Sequence, residues 1–477
     1  MASFYIENFG CRATQADGAA LEQQFLDRGL QRAPAAVDAG IVVLNTCTVT
    51  ADADKDARAS IRRLRRVNPN CRILVTGCYA QRAPQELAVL PGVTWVVGNS
   101  HKHAAAEIAT SSYPPPSSTA TSESFTPAGF VPLSKLSSNP TAEVVVGDIF
   151  AHTELLAAPV FEAANERTRP NLKVQDGCDN RCSFCVIPYV RGQSRSLPMD
   201  RVIAEVQTLV NAGYREVVIS GINLGRWGRD LGRNSQLSTS SSQLNENTNN
   251  SRFVELIRAI LDRSSLEKLR ISSVEPMDWG DELIGLMANS DRIAKHAHVP
   301  MQSGSDAVLR RMHRKYRPWH YREKILKIRV AMPAAAIGAD VMVGFPGETE
   351  AEFAETRQMI EDLPFTYLHV FTYSARPGTK AAGYPNQVSP AVASERNRIL
   401  RQIASEKKAA FMRSLAGTEV EAITLHSRGG NFTDALTTNY LKMRIAGHHE
   451  ANRWVRATVE HVEGEFLLAQ EPSVAVT

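Results

Sequence analysis

Three cysteines crowd into eight residues of this chain, where Cys178, Cys182 and Cys185 form a CxxxCxxC run. Three thiolates at this spacing can hold three irons of a 4Fe–4S cube, whereas a closed cluster takes four cysteines. An incomplete zinc site or buried structural thiols are the alternatives. Zinc sites usually pair CxxC units or add a nearby histidine, and no histidine lies between Cys178 and Arg195. The run therefore predicts an iron–sulfur centre with one iron open to a substrate or cofactor.

Three further cysteines, Cys11, Cys47 and Cys78, each follow a short apolar run and precede a helical pattern. This β-α-β-α-β-α alternation predicts a parallel sheet. The carboxyl ends of parallel strands gather at one edge of the sheet, so we expect the three cysteines to converge there. Cys71 opens its strand instead of closing it, and we interpret it as a structural cysteine at the opposite edge. The apolar runs are residues 4–6, 41–44 and 73–75.

The convergent trio again offers three thiolates, which suggests a second cluster with one open iron. Buried structural thiols are the alternative, because such cysteines are common in α/β domains. The chain shows no sign of export, so its seven cysteines should stay reduced in the cytosol. In that compartment metal binding or catalysis is favoured over disulfides.

The combination of these motifs resembles the radical S-adenosylmethionine methylthiotransferase family. The resemblance is carried by Gly-Cys-Arg around Cys11, Asn-Thr-Cys-Thr-Val-Thr around Cys47, Thr-Gly-Cys-Tyr-Ala-Gln around Cys78, and the CxxxCxxC run. It implies two 4Fe–4S clusters. The cluster on the CxxxCxxC run would chelate S-adenosylmethionine, with Phe184 packed beside the adenine. The cluster on the N-terminal trio would hold the sulfur that is transferred.

The length of 477 residues is too great for one hydrophobic core, so two or three domains are expected. No apolar run approaches the ~20 residues that span a bilayer, and the N-terminus lacks a signal region. We therefore expect a cytoplasmic monomer without membrane association. The predicted divisions are an N-terminal methylthiotransferase domain (1–110), a Ser/Pro-rich insert and linker (111–168), a radical S-adenosylmethionine domain (169–408, with a flexible insert at 234–251) and a C-terminal domain (409–477).

Residues 169–408, the predicted catalytic half, contain six strand–helix units. Such units predict a parallel barrel or open sheet with functional groups at the strands' carboxyl ends. Six units are too few for a complete eight-unit barrel and match the partial (β/α)6 barrel of the radical enzymes. Polar side chains at these strand ends are candidate contacts for the cofactor, although some could only satisfy backbone groups. No catalytic acid or base stands out. The candidate contacts are Ser220, Asn223, Ser272, Glu275, Gln302 and Asp340.

From about Ala409 the chain has short alternating runs separated by turn residues, which predict a small antiparallel β-barrel. This tail resembles the RNA-binding TRAM domain of the family. Its interleaved aromatic and basic residues suit base stacking and phosphate contact, and a purely structural cap is the alternative. The candidate RNA contacts are Tyr440, Lys442, Arg444, Arg453, Trp454 and Arg456.

Within the family, the motifs most resemble the branch that acts on N6-threonylcarbamoyladenosine at position 37 of tRNA. The predicted reaction is methylthiolation of the adenine C2, with tRNA, an electron donor such as flavodoxin or ferredoxin, and a sulfur source as partners. Methylthiolation of isopentenyladenosine in tRNA, or of a ribosomal protein aspartate, is the nearer alternative. A non-catalytic iron–sulfur electron carrier is a distant one, because a carrier normally closes its clusters with four ligands.

Overall fold

The computed structural model describes residues 2–111, 142–152, 155, 169–231, 246–426 and 431–470. They divide into two compact units. The first unit comprises Met1–Ala158 and Val186–Gly192, and the second comprises Pro159–Cys185 and Gln193–Thr477. Of the two inserts predicted from the sequence, residues 112–140 and 234–245 lie outside the described part of the chain.

The first unit is built on a six-stranded parallel sheet with strand order β2-β1-β3-β4-β5-β6. Its strands are β1 (Ser3–Asn8), β2 (Gln31–Arg32), β3 (Ile41–Thr46), β4 (Arg72–Gly77), β5 (Val93–Gly98) and β6 (Glu143–Val145). Its helices are α1 (Arg12–Asp27), α2 (Ala51–Val67), α3 (Cys78–Arg82), α4 (Pro84–Ala88), α5 (Ala105–Ser111) and α6 (Ile187–Arg191).

Helices cover both faces of this sheet. All six residues of β3 are buried, which is the pattern of a parallel strand packed on both sides. One hydrophobic core contains Ile61 of α2, and another contains Phe25 of α1. The prediction of a parallel α/β fold is confirmed. Strand β6 falls inside residues 111–168, which the sequence analysis treated as insert and linker, and it pairs with β5.

The catalytic part of the second unit contains six parallel strands in chain order, joined as two sheets. A parallel bridge between Ser273 and His298 links the two sheets, so the strands form the predicted partial barrel. A short antiparallel strand, β8 (Arg195–Ser196), flanks the first of them. The six are β7 (Asn171–Asp176), β9 (Glu216–Gly221), β10 (Lys268–Ile271), β11 (His296–His298), β12 (Ala336–Val343) and β13 (Tyr367–Thr372).

Helices enclose this barrel on the outside. The chain alternates strand and helix throughout this part. Thr349 is the N-cap of the helix Glu350–Asp362 and forms a capping box with Glu352. The helices are α7 (Met199–Asn211), α8 (Glu246–Arg263), α9 (Asp281–Asn289), α10 (Asp306–Arg311), α11 (Pro318–Ala331), α12 (Glu350–Asp362) and α13 (Pro390–Arg413). None of the described helices has the length and apolar character needed to cross a membrane.

The tail of the second unit is a closed five-stranded barrel, which confirms the predicted small β-barrel. Its core includes Met443, Ala457 and Leu467, all buried. The alternating runs in the sequence, at 419–425, 440–445, 454–459 and 465–468, correspond to four of these strands, and β15 was not recognised. The strands are β14 (Glu419–Thr424), β15 (Phe432–Thr437), β16 (Lys442–Ala446), β17 (Trp454–Glu463) and β18 (Phe466–Gln470).

Candidate metal centres

Cys11, Cys47 and Cys78 lie where three neighbouring strands of the first unit end. Cys11 is the N-cap of α1 after β1, Cys47 follows β3, and Cys78 is the first residue of α3 after β4. Strands β1 and β4 both pair with β3, and paired strands are about 4.8 Å apart. The structure therefore brings the three predicted cysteines to one edge of the sheet.

Two glycines allow the chain to approach Cys47 from both sides. Gly10 has a φ of +101°, and a Cβ added there would lie 2.6 Å from the Cys47 Cβ. Gly77 has a φ of +100°, and its added Cβ would lie 2.3 Å from the Thr46 carbonyl oxygen. Only glycine adopts this conformation easily. The glycines in Gly-Cys-Arg and Thr-Gly-Cys thus permit the close contact of the three loops.

The environment of these thiols suits metal binding better than free thiolates. Burial, reinforced by the neighbouring charges of Cys78 and Cys11, raises the pKa of Cys47 to about 12. Three thiolates so close together repel one another unless a cation lies between them. Asn99 donates a hydrogen bond from Nδ2 to the Cys78 Sγ at 3.6 Å. The donor set therefore fits an iron–sulfur cluster held by three cysteines.

Cys71 lies away from this edge. It precedes the first residue of β4 and is buried in the core that contains Ile61. Burial raises the pKa of its thiol. This is the position expected for a structural cysteine.

Cys178, Cys182 and Cys185 lie in the loop after β7, in the second unit. Two of their sulfurs accept hydrogen bonds. The Cys178 Sγ accepts from the Asn180 backbone N–H at 3.4 Å and from Asn223 Nδ2 at 3.6 Å. The Cys182 Sγ accepts from Arg314 Nη1 at 3.3 Å. Hydrogen bonds to sulfur favour thiolates and tune the potentials of clusters bound to them, so this loop also fits the predicted cluster.

Three of the predicted cofactor contacts carry a buried oxygen that has no hydrogen-bond partner. These atoms are the Ser220 Oγ, the Asn223 Oδ1 and the Gln302 Oε1. Gln302 also has a φ of 62°, a backbone conformation that is rare for residues other than glycine and often marks functional sites. Buried polar atoms normally find a partner. The three atoms therefore fit a polar cofactor such as S-adenosylmethionine.

The other predicted contacts already have protein partners. Glu275 forms an ion pair with Arg314, and the Asp340 Oδ1 lies 3.2 Å from the His298 Nε2. Ser272 is half-buried, and its backbone N–H bonds to the Ile219 carbonyl. The Phe184 ring packs edge-on against Phe345, with ring centroids 6.3 Å apart.

Arg314 is a buried cation beside the cysteine loop that the sequence did not single out as a site residue. It lies in a run of basic residues that has the composition of a solvated surface, yet its side chain is 6% exposed. Its guanidinium contacts Cys182 and Glu275, and it also lies over the Tyr316 ring, 5.0 Å from the centroid. These residues line a pocket beside the cysteine loop. No sequence pattern separates Arg314 from its exposed neighbours.

A second group lies on the inner face of the barrel, on β11, β12 and β13, and the sequence singled out only Asp340 of its members. The ligand atoms of His298, Asp340 and His369 all lie within 4.8 Å of one another. The Tyr367 hydroxyl lies 3.0 Å from the His298 Nδ1. Burial alone would raise the pKa of Asp340, but the hydrogen bond from His298 and the two histidine charges bring it below its ordinary value. In β11 the two histidines alternate with alanine, and in β13 Tyr367 and His369 occupy alternate positions, which a search for period two could have revealed.

Tyr440 does not occupy the free surface expected of an RNA contact. It lies in the turn between β15 and β16. The centroid of its ring lies 5.0 Å from that of His296, and the Arg270 guanidinium lies over the Tyr440 ring, 5.4 Å from the centroid. Arg270 is fully buried and donates hydrogen bonds to the carbonyls of Thr437 and Thr438. The turn therefore anchors the small barrel to the catalytic barrel.

The remaining candidate RNA contacts differ in exposure. Trp454 packs under the Lys268 ammonium at 5.1 Å, and Arg444 lies over the Phe466 ring at 3.9 Å. Lys442, Arg453 and Arg456 are more than half exposed, and each lies near a glutamate. The most accessible cations are thus offset by acidic neighbours.

Comparison with known proteins matches two parts of the chain to families. Residues 3–98 match the Uncharacterized protein family UPF0004, and residues 172–360 match the Radical SAM superfamily. In overall fold the chain resembles the radical S-adenosylmethionine methyltransferase TsrM from Kitasatospora setae, with a TM-score of 0.54 and 14% identity. That match covers 80% of this chain and 77% of the other.

Relatives match over nearly the whole length. The chain is 33% identical to threonylcarbamoyladenosine tRNA methylthiotransferase MtaB of Aquifex aeolicus, over 95% of this chain and 99% of the relative. It is also 33% identical to the MtaB of Bacillus subtilis strain 168, over 99% and 98%. It is 32% identical to tRNA-2-methylthio-N(6)-dimethylallyladenosine synthase of a Parafrankia species, over 90% of this chain and 78% of the relative.

Proposed function

The chain belongs to the radical S-adenosylmethionine tRNA methylthiotransferases, and from this premise we propose that its substrate is N6-threonylcarbamoyladenosine at position 37 of tRNA. The product is the 2-methylthio derivative of that nucleoside. Enzymes of this family use 4Fe–4S clusters and S-adenosylmethionine. We assign Cys178, Cys182 and Cys185 to one cluster, and Cys11, Cys47 and Cys78 to the other.

The observation that supports methylthiolation chemistry is the pair of three-cysteine sites, one in each unit, and the choice of nucleoside depends on a separate polar group on the inner face of the barrel. A set of three thiolates leaves one iron of a 4Fe–4S cluster without a protein ligand. Two such sites suit a reaction that needs both a radical and a sulfur donor. When bound, the cluster on Cys178, Cys182 and Cys185 (the radical cluster) would supply the electron for reductive cleavage of S-adenosylmethionine, and the cluster on Cys11, Cys47 and Cys78 (the N-terminal cluster) would supply sulfur.

The side chains around the radical site have separable tasks in this proposal. The free buried oxygens of Ser220, Asn223 and Gln302 orient the polar groups of the cofactor. Arg314 holds the Cys182 sulfur and the Glu275 carboxylate in place. Phe184, whose ring packs edge-on against Phe345, would flank the adenine.

The inner face of the barrel supports a polar substrate substituent. Threonylcarbamoyl carries a carboxylate, a hydroxyl and a urea, whereas isopentenyl is a hydrocarbon. The group formed by His298, Asp340, Tyr367 and His369 is polar and internally hydrogen-bonded. A polar substituent can replace the water around such groups, whereas a hydrocarbon would remove that water and offer no hydrogen bond in return. The relatives with similar identity act, by name, on both nucleosides, so this lining is the feature that favours threonylcarbamoyladenosine.

Assay of the reconstituted enzyme on defined substrates tests the proposal. The enzyme would be supplied with dithionite and S-adenosylmethionine, and with tRNA that carries either threonylcarbamoyladenosine or isopentenyladenosine. Mass spectrometry of the digested nucleosides should detect the methylthio product only from the first tRNA. A product from isopentenyladenosine, or from a peptide bearing the ribosomal aspartate, would replace the proposed substrate. The Cys182→Ala variant is the control for reactions that do not involve the radical cluster.

A further inference from the structure

Three ionisable side chains are buried together in the first unit: Asp17, Lys102 and Arg191. The Lys102 Nζ lies 2.9 Å from the Asp17 Oδ2, and the Arg191 Nη2 lies 3.0 Å from the same oxygen. Lys102 also donates to the Asn45 Oδ1 at 3.2 Å. None of the three charged side chains is more than 4% exposed. The group is a buried ion cluster, which we call the Lys102 cluster.

The Lys102 cluster draws its residues from segments that carry or contact the N-terminal cysteines. Asp17 is on α1, which Cys11 caps. Asn45 precedes Cys47 by two residues at the end of β3. Arg191 is on α6, and Cys78 packs in one apolar group with residues of that segment. The charge of Cys78 opposes the lowering of the Lys102 pKa by burial, and the charge of Arg191 opposes the rise of the Cys47 pKa caused by burial.

Stability alone gives little reason to bury these charges. Burial lowers the pKa of Lys102, and the charge of Asp17 opposes that shift. Replacing a buried ion pair by well-packed apolar side chains is often neutral or stabilising. Three thiolates carrying a cluster, by contrast, concentrate negative charge at one edge of the sheet, where Cys47 and Cys78 are buried. Net charge and hydrogen bonding around a cluster set its reduction potential.

We propose that Lys102 is a positioning residue for the N-terminal cluster. Asp17 and Asn45 hold its ammonium at the sheet edge that carries the cysteines, where its charge stabilises the anionic, thiolate-ligated centre and raises the reduction potential of that centre. The inference rests on the proposed ligation by Cys11, Cys47 and Cys78. It goes beyond that ligation because it assigns a role to a residue that binds no metal.

Redox titration of the full-length, reconstituted protein, followed by electron paramagnetic resonance, tests this role. The Cys178→Ala/Cys182→Ala/Cys185→Ala variant, titrated in parallel, assigns the N-terminal signal. Lys102→Met should shift the midpoint potential of that signal to a more negative value at unchanged iron content, and Lys102→Arg should stay close to the wild type. Lys55→Met, which alters an exposed lysine on α2, is the matched control.

Each outcome decides the question. An unchanged potential in Lys102→Met would overturn the proposal. Loss of iron in Lys102→Met that Lys102→Arg restores would support it, whereas equal loss in both would indicate a packing role and overturn it. If Lys102→Met does not fold, the double variant Asp17→Asn/Lys102→Met replaces it, because it leaves no buried carboxylate without its partner. The midpoint potential of the N-terminal cluster in this double variant must then be lower than in Asp17→Asn. Full iron in Cys11→Ala/Cys47→Ala/Cys78→Ala would refute the ligation itself, whatever Lys102 does.

Discussion

The Arg314 guanidinium donates a hydrogen bond to the Cys182 sulfur at 3.3 Å, across 132 residues of sequence. The same guanidinium pairs with Glu275, which follows β10. One buried cation therefore links the cysteine loop to a strand end that carries a candidate cofactor contact. This contact fixes where the loop lies relative to the barrel.

Replacing Arg314 tests this link. Arg314→Gln removes the positive charge beside Cys182 and leaves Glu275 without its partner. A charge-assisted hydrogen bond contributes about 1.5–3 kcal/mol, so cofactor cleavage should slow by at least about tenfold. The measurement is the rate of 5′-deoxyadenosine formation without tRNA. Arg310→Gln, at a side chain that is 63% exposed, should keep the wild-type rate, and equal rates in both variants would argue against the link.

The iron content should follow the two groups of cysteines. Two 4Fe–4S clusters give about eight irons per chain after anaerobic reconstitution. Alanine at all three cysteines of either group should leave about four. Cys71→Ala should change nothing, because Cys71 lies at the other end of β4. Loss of a cluster in Cys71→Ala, with full iron in Cys78→Ala, would show that the ligand assignment is wrong.

The two clusters should also separate by function. Cys47→Ala should still produce 5′-deoxyadenosine, because the loop that carries Cys178, Cys182 and Cys185 belongs to the other unit. It should make no methylthio product. Cys182→Ala should produce neither. Both products are measured by mass spectrometry in the same reaction. Equal loss of cofactor cleavage in the two variants would contradict separate roles.

Substrate recognition is expected to depend on His369. Removing one hydrogen-bonding group from the polar lining should lower kcat/KM for threonylcarbamoyladenosine tRNA about tenfold or more, a loss of ~1.5 kcal/mol. Cofactor cleavage without tRNA should remain unchanged in His369→Ala. His320→Ala, on the exposed side of α11, is the control. A uniform loss of cleavage and transfer in His369→Ala would indicate a structural role instead.

The tail is expected to bind tRNA through its exposed cations. Lys442→Ala/Arg456→Ala should weaken tRNA binding, and each lost phosphate contact should reduce the salt slope by about one. Arg401→Ala, at an exposed site on α13, serves as the control. Binding is measured at several salt concentrations. An unchanged slope in the double variant would leave the small barrel with a structural role only.

Removal of the whole tail is a poor test of the same idea. The buried Arg270 donates to the Thr437 and Thr438 carbonyls, and Tyr440 packs on His296. A chain that ends before the small barrel would leave Arg270 without these partners. We therefore expect Tyr440→Ala to lower thermal stability, with little effect on the salt slope of tRNA binding.

The sequence by itself determined the fold class, the two groups of three cysteines, and the separation of Cys71 from the cysteines at the carboxyl ends of the strands. These features are local. Spacing within a loop fixes which thiols can share a cluster, and alternation of strand and helix fixes a parallel sheet whose strand ends meet. Short elements escaped this reasoning, because a strand of three residues such as β6 carries too little pattern to recognise.

Only the tertiary structure decided which polar and charged residues surround those cysteines. Asp17 contacts Lys102 across 85 residues of sequence and Arg191 across 174. Arg314 contacts Cys182 across 132. In the sequence, Arg314 looks like its exposed basic neighbours, and Tyr440 looks like an RNA contact. Whether such a side chain is buried depends on how distant elements pack against it. That packing is a property of the assembled fold, and no local pattern encodes it.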